Sequence, residues 1–533
     1  MRAREDVSQG APIADAGADS SAPRRVAGAA GGVLAGGVAV GAAELLAVLS
    51  GPGSSPILAV GGAAVDASPE WLKSFAIRTF GEQDKLALLI GIGVVLTIAV
   101  AAVGAASWRR PRLGIAASVV LGAIGAAAAV TRPANSIADA VPSIAGAVAG
   151  VLAYRILRDA ASLDADASAD EPSTPSITGY DRRRFLRAGF AAAGVAVVAG
   201  GVGRLLTSRA TAADSRAATL IPSASDLGTP TPAGADLGVP GVSPFVTSNR
   251  DFYRVDTALF VPAIDAETWT LRVHGMVDRE FTLGFDDLLA RPMIERDITI
   301  ACVSNEVGGP YVGNARWSGA PLADLLREAN VHPEASQIVS RSADGFTIGT
   351  PTAVVMDGRD AMLAVSMNGE PLPLEHGFPV RMIVPGLYGY VSATKWLVDL
   401  ELTTLDAYDA YWIERGWAKE APIKTQSRID TPRFGTALSP GVVAVAGVAW
   451  AQHRGIDRVE VRVDDGAWEA AELGAEDTVD TWRQWVYRWR ATTGSHSIAV
   501  RATDGDGETQ TAELAEPFPD GATGHHAIEV KIS

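Results

Sequence analysis

Apolar and polar positions divide this chain into two halves of different character. Five apolar stretches, at 26–49, 85–107, 113–131, 137–157 and 185–206, approach or exceed the length of about 20 residues that crosses a bilayer. They predict an α-helical transmembrane bundle over residues 1–207, with 50–84 as a loop of mixed charge. Residues 208–245 are mostly Ala, Ser, Thr, Pro, Gly and Asp without periodicity, which predicts a flexible linker. Short alternations follow. Trp269 to Gly275 predicts a strand ending in a turn, and Phe285 to Leu289 a short helix. Asp297 to Cys302 predicts a second strand, with Cys302 near its end at the mouth of a loop, Val303 to Gly313. Alternation through Gly447–Trp450, Ile456–Val463, Trp485–Trp489 and Ser497–Ala502 predicts an immunoglobulin-like β-sandwich over 421–533.

Basic residues orient the apolar half. Arg24 and Arg25 precede the first span, Arg109, Arg110 and Arg112 lie between the second and third, and Arg155, Arg158 and Arg182 to Arg184 between the fourth and fifth. All are cytoplasmic if the N-terminus is, and an odd number of spans then puts everything after residue 207 outside. The run Asp181 to Arg187, directly before the last span, resembles a twin-arginine export signal, and it reads equally as an ordinary basic flank. Gly32, Gly36, Gly37 and Gly41 have the small-residue spacing of close helix packing. Glu44 sits within the first span near its outer end, where it is either functional or within reach of the interface. The spans contain no His and no Met beyond the initiator, so they lack the axial ligands of a b-type haem.

The formal net charge of −16 argues against nucleic acid as a partner. A single Cys excludes an internal disulfide, Cys-x-x-Cys zinc motifs and an iron–sulfur ligand set. From spacing alone Cys302 is either a buried inert thiol or a reactive one. The residues around it narrow the choice. Asn249 to Thr257 is followed by Val261-Pro262, Thr299 to Asn305 holds a Cys-x-x-Asn segment, and Met367 to Pro373 is followed by His376 to Arg381, Val384-Pro385-Gly386 and Lys395-Trp396. In this order they resemble the sulfite oxidase family of molybdopterin enzymes over residues 245–420.

The resemblance implies an α+β molybdopterin-binding catalytic domain over 246–420, an enzyme carrying Mo-molybdopterin, and Cys302 as the thiolate on molybdenum. It implies cofactor contacts from Tyr253, Arg254, Asp256, Asn305, Asp344, His376 and Arg381, and from Ala393, Thr394 and Lys395 largely through backbone groups. It also implies that 421–533 is a dimerisation domain, with a monomeric packing module as the alternative. His525 and His526 read as exposed residues. Two family positions differ. An Arg expected soon after the Cys is replaced by Glu306 and Val307, and a Tyr before the Met-Asn-Gly segment by Ala364-Val365-Ser366. Converging positive charge for an anionic substrate is therefore weakened, although Arg254, Arg316 and Arg341 remain candidates to line the pocket. The expected reaction is oxo transfer at an extracytoplasmic site, on a sulfoxide, N-oxide or sulfite-like small molecule. A true sulfite oxidase and a non-catalytic, membrane-anchored binding module are the alternatives. With no haem or iron–sulfur motif, electrons would pass through a separate protein or a quinone.

Overall fold

The computed structural model describes residues 21–50, 54–69, 84–107, 110–131, 136–162, 209–259 and 261–533, and in addition 72, 75, 79, 187–191 and 194. The chain divides into two compact units, Met1–Thr207 and Ser208–Ser533.

The first unit contains helices α1 (Ser21–Ser50), α2 (Pro56–Ala67), α3 (Asp84–Ser107), α4 (Pro111–Val130) and α5 (Val141–Ser162). Among the described residues four segments are long and apolar enough to cross a membrane: Arg25–Ala47, Ala87–Ser107, Pro111–Val130 and Ile137–Ala160. They coincide with the first four expected spans. The fifth, 185–206, lies almost wholly outside the described residues. Helix α2 forms inside what the sequence reads as a loop. Ser55 caps it by accepting from the Leu58 N–H at 3.3 Å, and Pro56 occupies its first turn.

Helices α1 and α3 meet backbone to backbone. A Cβ on Gly32 would lie 2.3 Å from the Val100 carbonyl oxygen, and one on Gly104 would lie 2.3 Å from that of Gly28. Gly36, one turn on, faces the Val100 side chain at an ordinary 3.5 Å. Two polar side chains of this unit find partners within it. The Ser55 hydroxyl donates to Glu44 Oε1 at 2.6 Å, and the Tyr154 hydroxyl to Ser107 Oγ at 2.8 Å.

The second unit opens with α6 (Arg209–Ala218). Its first strands are β1 (Thr270–Gly275), β2 (Phe281–Gly284), β3 (Ile294–Ala301), β4 (Val312–Pro321) and β5 (Gln337–Ser342). Then follow β6 (Thr347–Pro351), β7 (Met362–Met367), β8 (Glu370–Pro371), β9 (Arg381–Ile383) and β10 (Leu397–Thr403). One sheet runs β2-β1-β10-β5-β6, with β1 parallel to β10; the other runs β3-β4-β7-β8, with β9 on β7. Every residue of β7 is buried, as its near-continuous apolar sequence requires. The helix expected over Phe285–Leu289 is present.

The C-terminal strands are β11 (Gln426–Thr431), β12 (Ala437–Leu438), β13 (Gly441–Trp450), β14 (Ile456–Val463) and β15 (Glu469–Ala470). They continue with β16 (Glu472–Leu473), β17 (Arg483–Ala491), β18 (Gly494–Asp504) and β19 (His526–Ile532). They form a β11-β13-β17-β16 sheet and a β12-β19-β18-β14-β15 sheet. Val445 and Trp485 from the first share one apolar core with Val459, Ile498 and Ile528 from the second. Trp450 and Trp482 instead join the core of the β1–β10 region, alongside Trp317.

Residues 208–245 differ from the flexible linker their composition predicts. The Arg216 guanidinium donates to the carbonyls of Pro371 and Leu372. Ser225 N–H donates to Met293 O at 2.9 Å, and Glu295 N–H to Asp226 O at 2.9 Å, so the segment pairs briefly with the start of β3. Leu237 N–H donates to Gln484 Oε1 at 2.7 Å, and Phe245 is buried. The segment is a strap across both β regions, held mainly through backbone groups that composition does not register.

Candidate active site

Cys302 follows directly after β3, where the alternation placed it. Its N–H donates to Tyr311 O at 2.9 Å, and its carbonyl accepts from Asn305 N–H at 3.1 Å. Asn305 Oδ1 in turn accepts from Tyr311 N–H at 2.7 Å. Asn305 thus closes the loop that carries the thiol. Sγ lies 2.9 Å from Ser304 Oγ, a neighbour the sequence did not single out. Burial pushes the thiol pKa up, while Ser304 and the charge of Lys395 pull it down.

Beside Cys302 the fold gathers the expected cations. The turn Leu374–His376 leads into β9, which begins at Arg381, and Lys395 follows the short helix Gly389–Ser392. Lys395 Nζ donates to Asp256 Oδ2 at 3.0 Å and to Glu375 O at 3.1 Å; Arg254 Nε donates to the same Asp256 oxygen at 2.8 Å. Burial lowers the Lys395 pKa to about 8, against the opposing pull of Asp256. Arg381 is buried, donates to His376 O at 3.2 Å and lies 5.0 Å from the centroid of the Trp317 ring. Among the described residues no carboxylate pairs with it, and burial lowers its pKa to about 10. Arg254 and Lys395 thus share the Asp256 carboxylate, and Arg381 adds a third cation to the group.

His376 is 2 % exposed, and burial, then Lys395 and Arg381, lower its pKa to about 3. It is neutral. Nε2 lies 3.0 Å from the Asn249 carbonyl oxygen and must donate to it, which leaves Nδ1 as a bare acceptor. His376 Nδ1 and Arg381 Nε are both buried without a hydrogen-bond partner among the described residues. One orphaned acceptor and one orphaned donor on neighbouring side chains call for a ligand that offers both.

The remaining predicted residues frame this cradle. Tyr253 stacks on Phe252 with centroids 5.3 Å apart, and its hydroxyl pKa is raised by burial and by Cys302. Thr394 joins the site to β5 through its hydroxyl, 2.5 Å from Ser340 Oγ. Ala393 N–H is used internally, donating to Gly389 O at 2.9 Å. Asp344 lies in the β5–β6 turn and accepts from Phe346 N–H at 3.1 Å; the adjacent Ala343 N–H reaches Trp396 O at 2.8 Å.

The candidate substrate arginines are already engaged. Arg316 forks onto Asp297 at 2.8 and 2.7 Å, and Arg341 pairs with Asp399 at 2.6 Å and with Glu401. His525 and His526 are not simply exposed. His525 Nε2 lies 3.0 Å from Gln510 O, and His526 Nδ1 accepts from Ile429 N–H at 3.0 Å. Among the described residues no group of three or more His, Cys, Asp and Glu can hold a metal. A soft thiolate such as that of Cys302 suits a metal that brings its other ligands on a cofactor.

Comparison with known proteins agrees with this chemistry. Residues 258–412 match the family model described as the oxidoreductase molybdopterin binding domain. The chain is 31% identical over 288 residues to mitochondrial sulfite oxidase of Rattus norvegicus, covering 45% of this chain and 52% of that protein. It thus spans about half the length of that relative. It is 34% identical over 153 residues to the uncharacterized oxidoreductase YuiH of Bacillus subtilis (strain 168), covering 29% of this chain and 74% of the relative. The crystal structure of the sulfane dehydrogenase SoxCD from Paracoccus pantotrophus aligns with TM-score 0.48 and 21% identity, over 57% of this chain and 88% of that one. The chain belongs to the sulfite oxidase family of molybdopterin-dependent oxidoreductases.

Proposed function

We propose that the chain is a membrane-anchored enzyme of extracytoplasmic oxo transfer, with molybdenum held by the Cys302 thiolate. The observation that carries this reading is the pair of orphaned atoms, His376 Nδ1 and Arg381 Nε, buried in a cationic cradle beside the one thiol. A polar pterin ring and its phosphate present both donors and acceptors, and negative charge. Arg381 and Lys395 would hold the cofactor with His376, while Tyr253, Arg254, Asp256, Asp344, Ala393 and Thr394 frame it. Asn305 would act through the loop. When bound, the cofactor supplies the two-electron oxo-transfer chemistry. The chain's own part is to give up the Cys302 proton on metal binding, to keep His376 neutral and to neutralise the phosphate.

Because Arg254, Arg316 and Arg341 are each paired with carboxylates, a neutral sulfoxide or N-oxide fits better than an anion. Sulfite is the second reading, favoured by the sulfite oxidases among the relatives. In this proposal 246–420 is the catalytic domain and 421–533 an immunoglobulin-like, dimerising sandwich. Export follows the twin-arginine-like run at 181–187, and electrons pass through a separate protein or a quinone. Purified protein should contain stoichiometric molybdenum by elemental analysis and reduce sulfoxides or N-oxides with an artificial donor. Cys302→Ala should lose both metal and turnover. A Cys302→Ala protein that keeps its molybdenum and still turns over refutes the ligand assignment.

A further inference from the structure

The loop that carries Cys302 is gripped from outside by the C-terminal β region. Arg428 on β11 is buried and uses all its guanidinium nitrogens. Nη1 donates to the Gly309 carbonyl at 2.9 Å, Nη2 to Ser243 Oγ at 2.9 Å, and Nε to Asp430 Oδ1 at 2.6 Å. Asp430 Oδ2 accepts from Ser243 N–H at 2.9 Å, so the strap is tied into the same knot. One residue earlier, Gly308 has φ +78°, and a Cβ there would lie 2.3 Å from the His526 ring. That ring is fixed by Ile429 N–H on its Nδ1.

The other flank of Cys302 is held by the same region. Thr299 N–H donates to Asp480 O at 2.9 Å, Gln452 Nε2 donates to Thr299 O at 3.0 Å, and Trp482 N–H donates to Thr299 Oγ1 at 2.7 Å. The residues on both sides of the thiol therefore answer to segments of the C-terminal region more than a hundred positions away in sequence.

We propose that the C-terminal β region sets the position of the Cys302 thiolate, with Arg428 as the positioning residue. Arg428 touches no reacting atom. It fixes the carbonyl of Gly309, and through the 302–311 loop the direction in which Sγ points. This consequence for the metal rests on Cys302 being its ligand.

The test is hydrogen–deuterium exchange of the purified full chain in detergent, read on a peptide covering 302–312, with the Mo(V) electron paramagnetic resonance spectrum alongside. Arg428→Ala should speed exchange at Asn305, Gly309 and Tyr311 roughly tenfold or more, the scale of losing a charge-assisted hydrogen bond, and shift the Mo(V) g-values. Arg428→Lys should recover part of both changes. Arg454→Ala, which breaks the 2.9 Å pair with Asp504 in the same region without touching the loop, should change neither. Equal effects of Arg428→Ala and Arg454→Ala, or loop exchange unchanged in Arg428→Ala, overturn the proposal. If Arg428→Ala does not fold, Asp430→Asn takes its place under the same criteria. Exchange is read whether or not metal is present. Faster loop exchange in Arg428→Ala with unchanged Mo(V) g-values would therefore refute the ligand assignment and uphold the latch.

Discussion

At the residue scale, His376 and Arg381 carry the sharpest consequences. The native state keeps His376 neutral, with its pKa lowered from 6.5 to about 3, whereas the unfolded chain takes up that proton near 6.5. Stability from this group is complete above 6.5 and is lost as pH falls toward 3, by about 2 kcal/mol at pH 5. His376→Gln removes the titration. Comparing thermal unfolding of the variant and the parent at pH 7 and pH 5 should show the variant losing less stability on acidification. Arg381→Met should lower cofactor retention by roughly tenfold to a hundredfold, the scale of one or two charge-assisted hydrogen bonds, as read by molybdenum content after dialysis. Without its ligand the Met variant should be at least as stable as the parent, because a buried cation has been removed.

At the element scale, the strap and the α1–α3 contact are open to direct tests. If 219–245 pairs with β3 and Gln484 as described, subtilisin should leave it uncut under conditions that cleave an unstructured Ser/Pro/Gly segment. Gly32→Val should disrupt the first unit and lower its melting temperature in detergent, since a Cβ there meets a backbone oxygen at 2.3 Å. Gly36→Ala should be nearly neutral. Sequence had pointed to both glycines equally, because spacing alone does not say which one a neighbouring helix will touch. Alternation made some strands legible: β14 was read residue for residue, and β3 placed Cys302 at its end, whereas β10 and β19 went unread although each buries one face. Helix α2 was missed because its 12 residues lead into a segment of mixed charge and are too short to stand out as a span. The residues proposed to hold the cofactor came from the resemblance carried by their ordered segments. Ser304, Trp317 and the Arg428 latch were not legible, since Trp317 and Arg428 meet the site only across strands and each looks like an ordinary residue in its own local pattern.

At the scale of the whole molecule, the apolar half and the catalytic half make separate predictions. A periplasm-active reporter fused after residue 207 should be active if the proposed orientation is right, and a cytoplasm-only signal would reverse it. In the proposed site the anionic cofactor would supply counter-charge to Arg381 and Lys395, whose pKa values burial has pulled to about 10 and about 8. Each of these values records a cation that water would hold more comfortably than the fold does. If those residues hold it, cofactor loading and folding form a single coupled equilibrium, and the apoprotein should melt below the loaded protein, with a gap that widens as the logarithm of cofactor concentration. Cofactor supply then governs abundance as well as activity. In a cell short of molybdopterin the chain should be cleared by proteases before any defect in turnover could be measured.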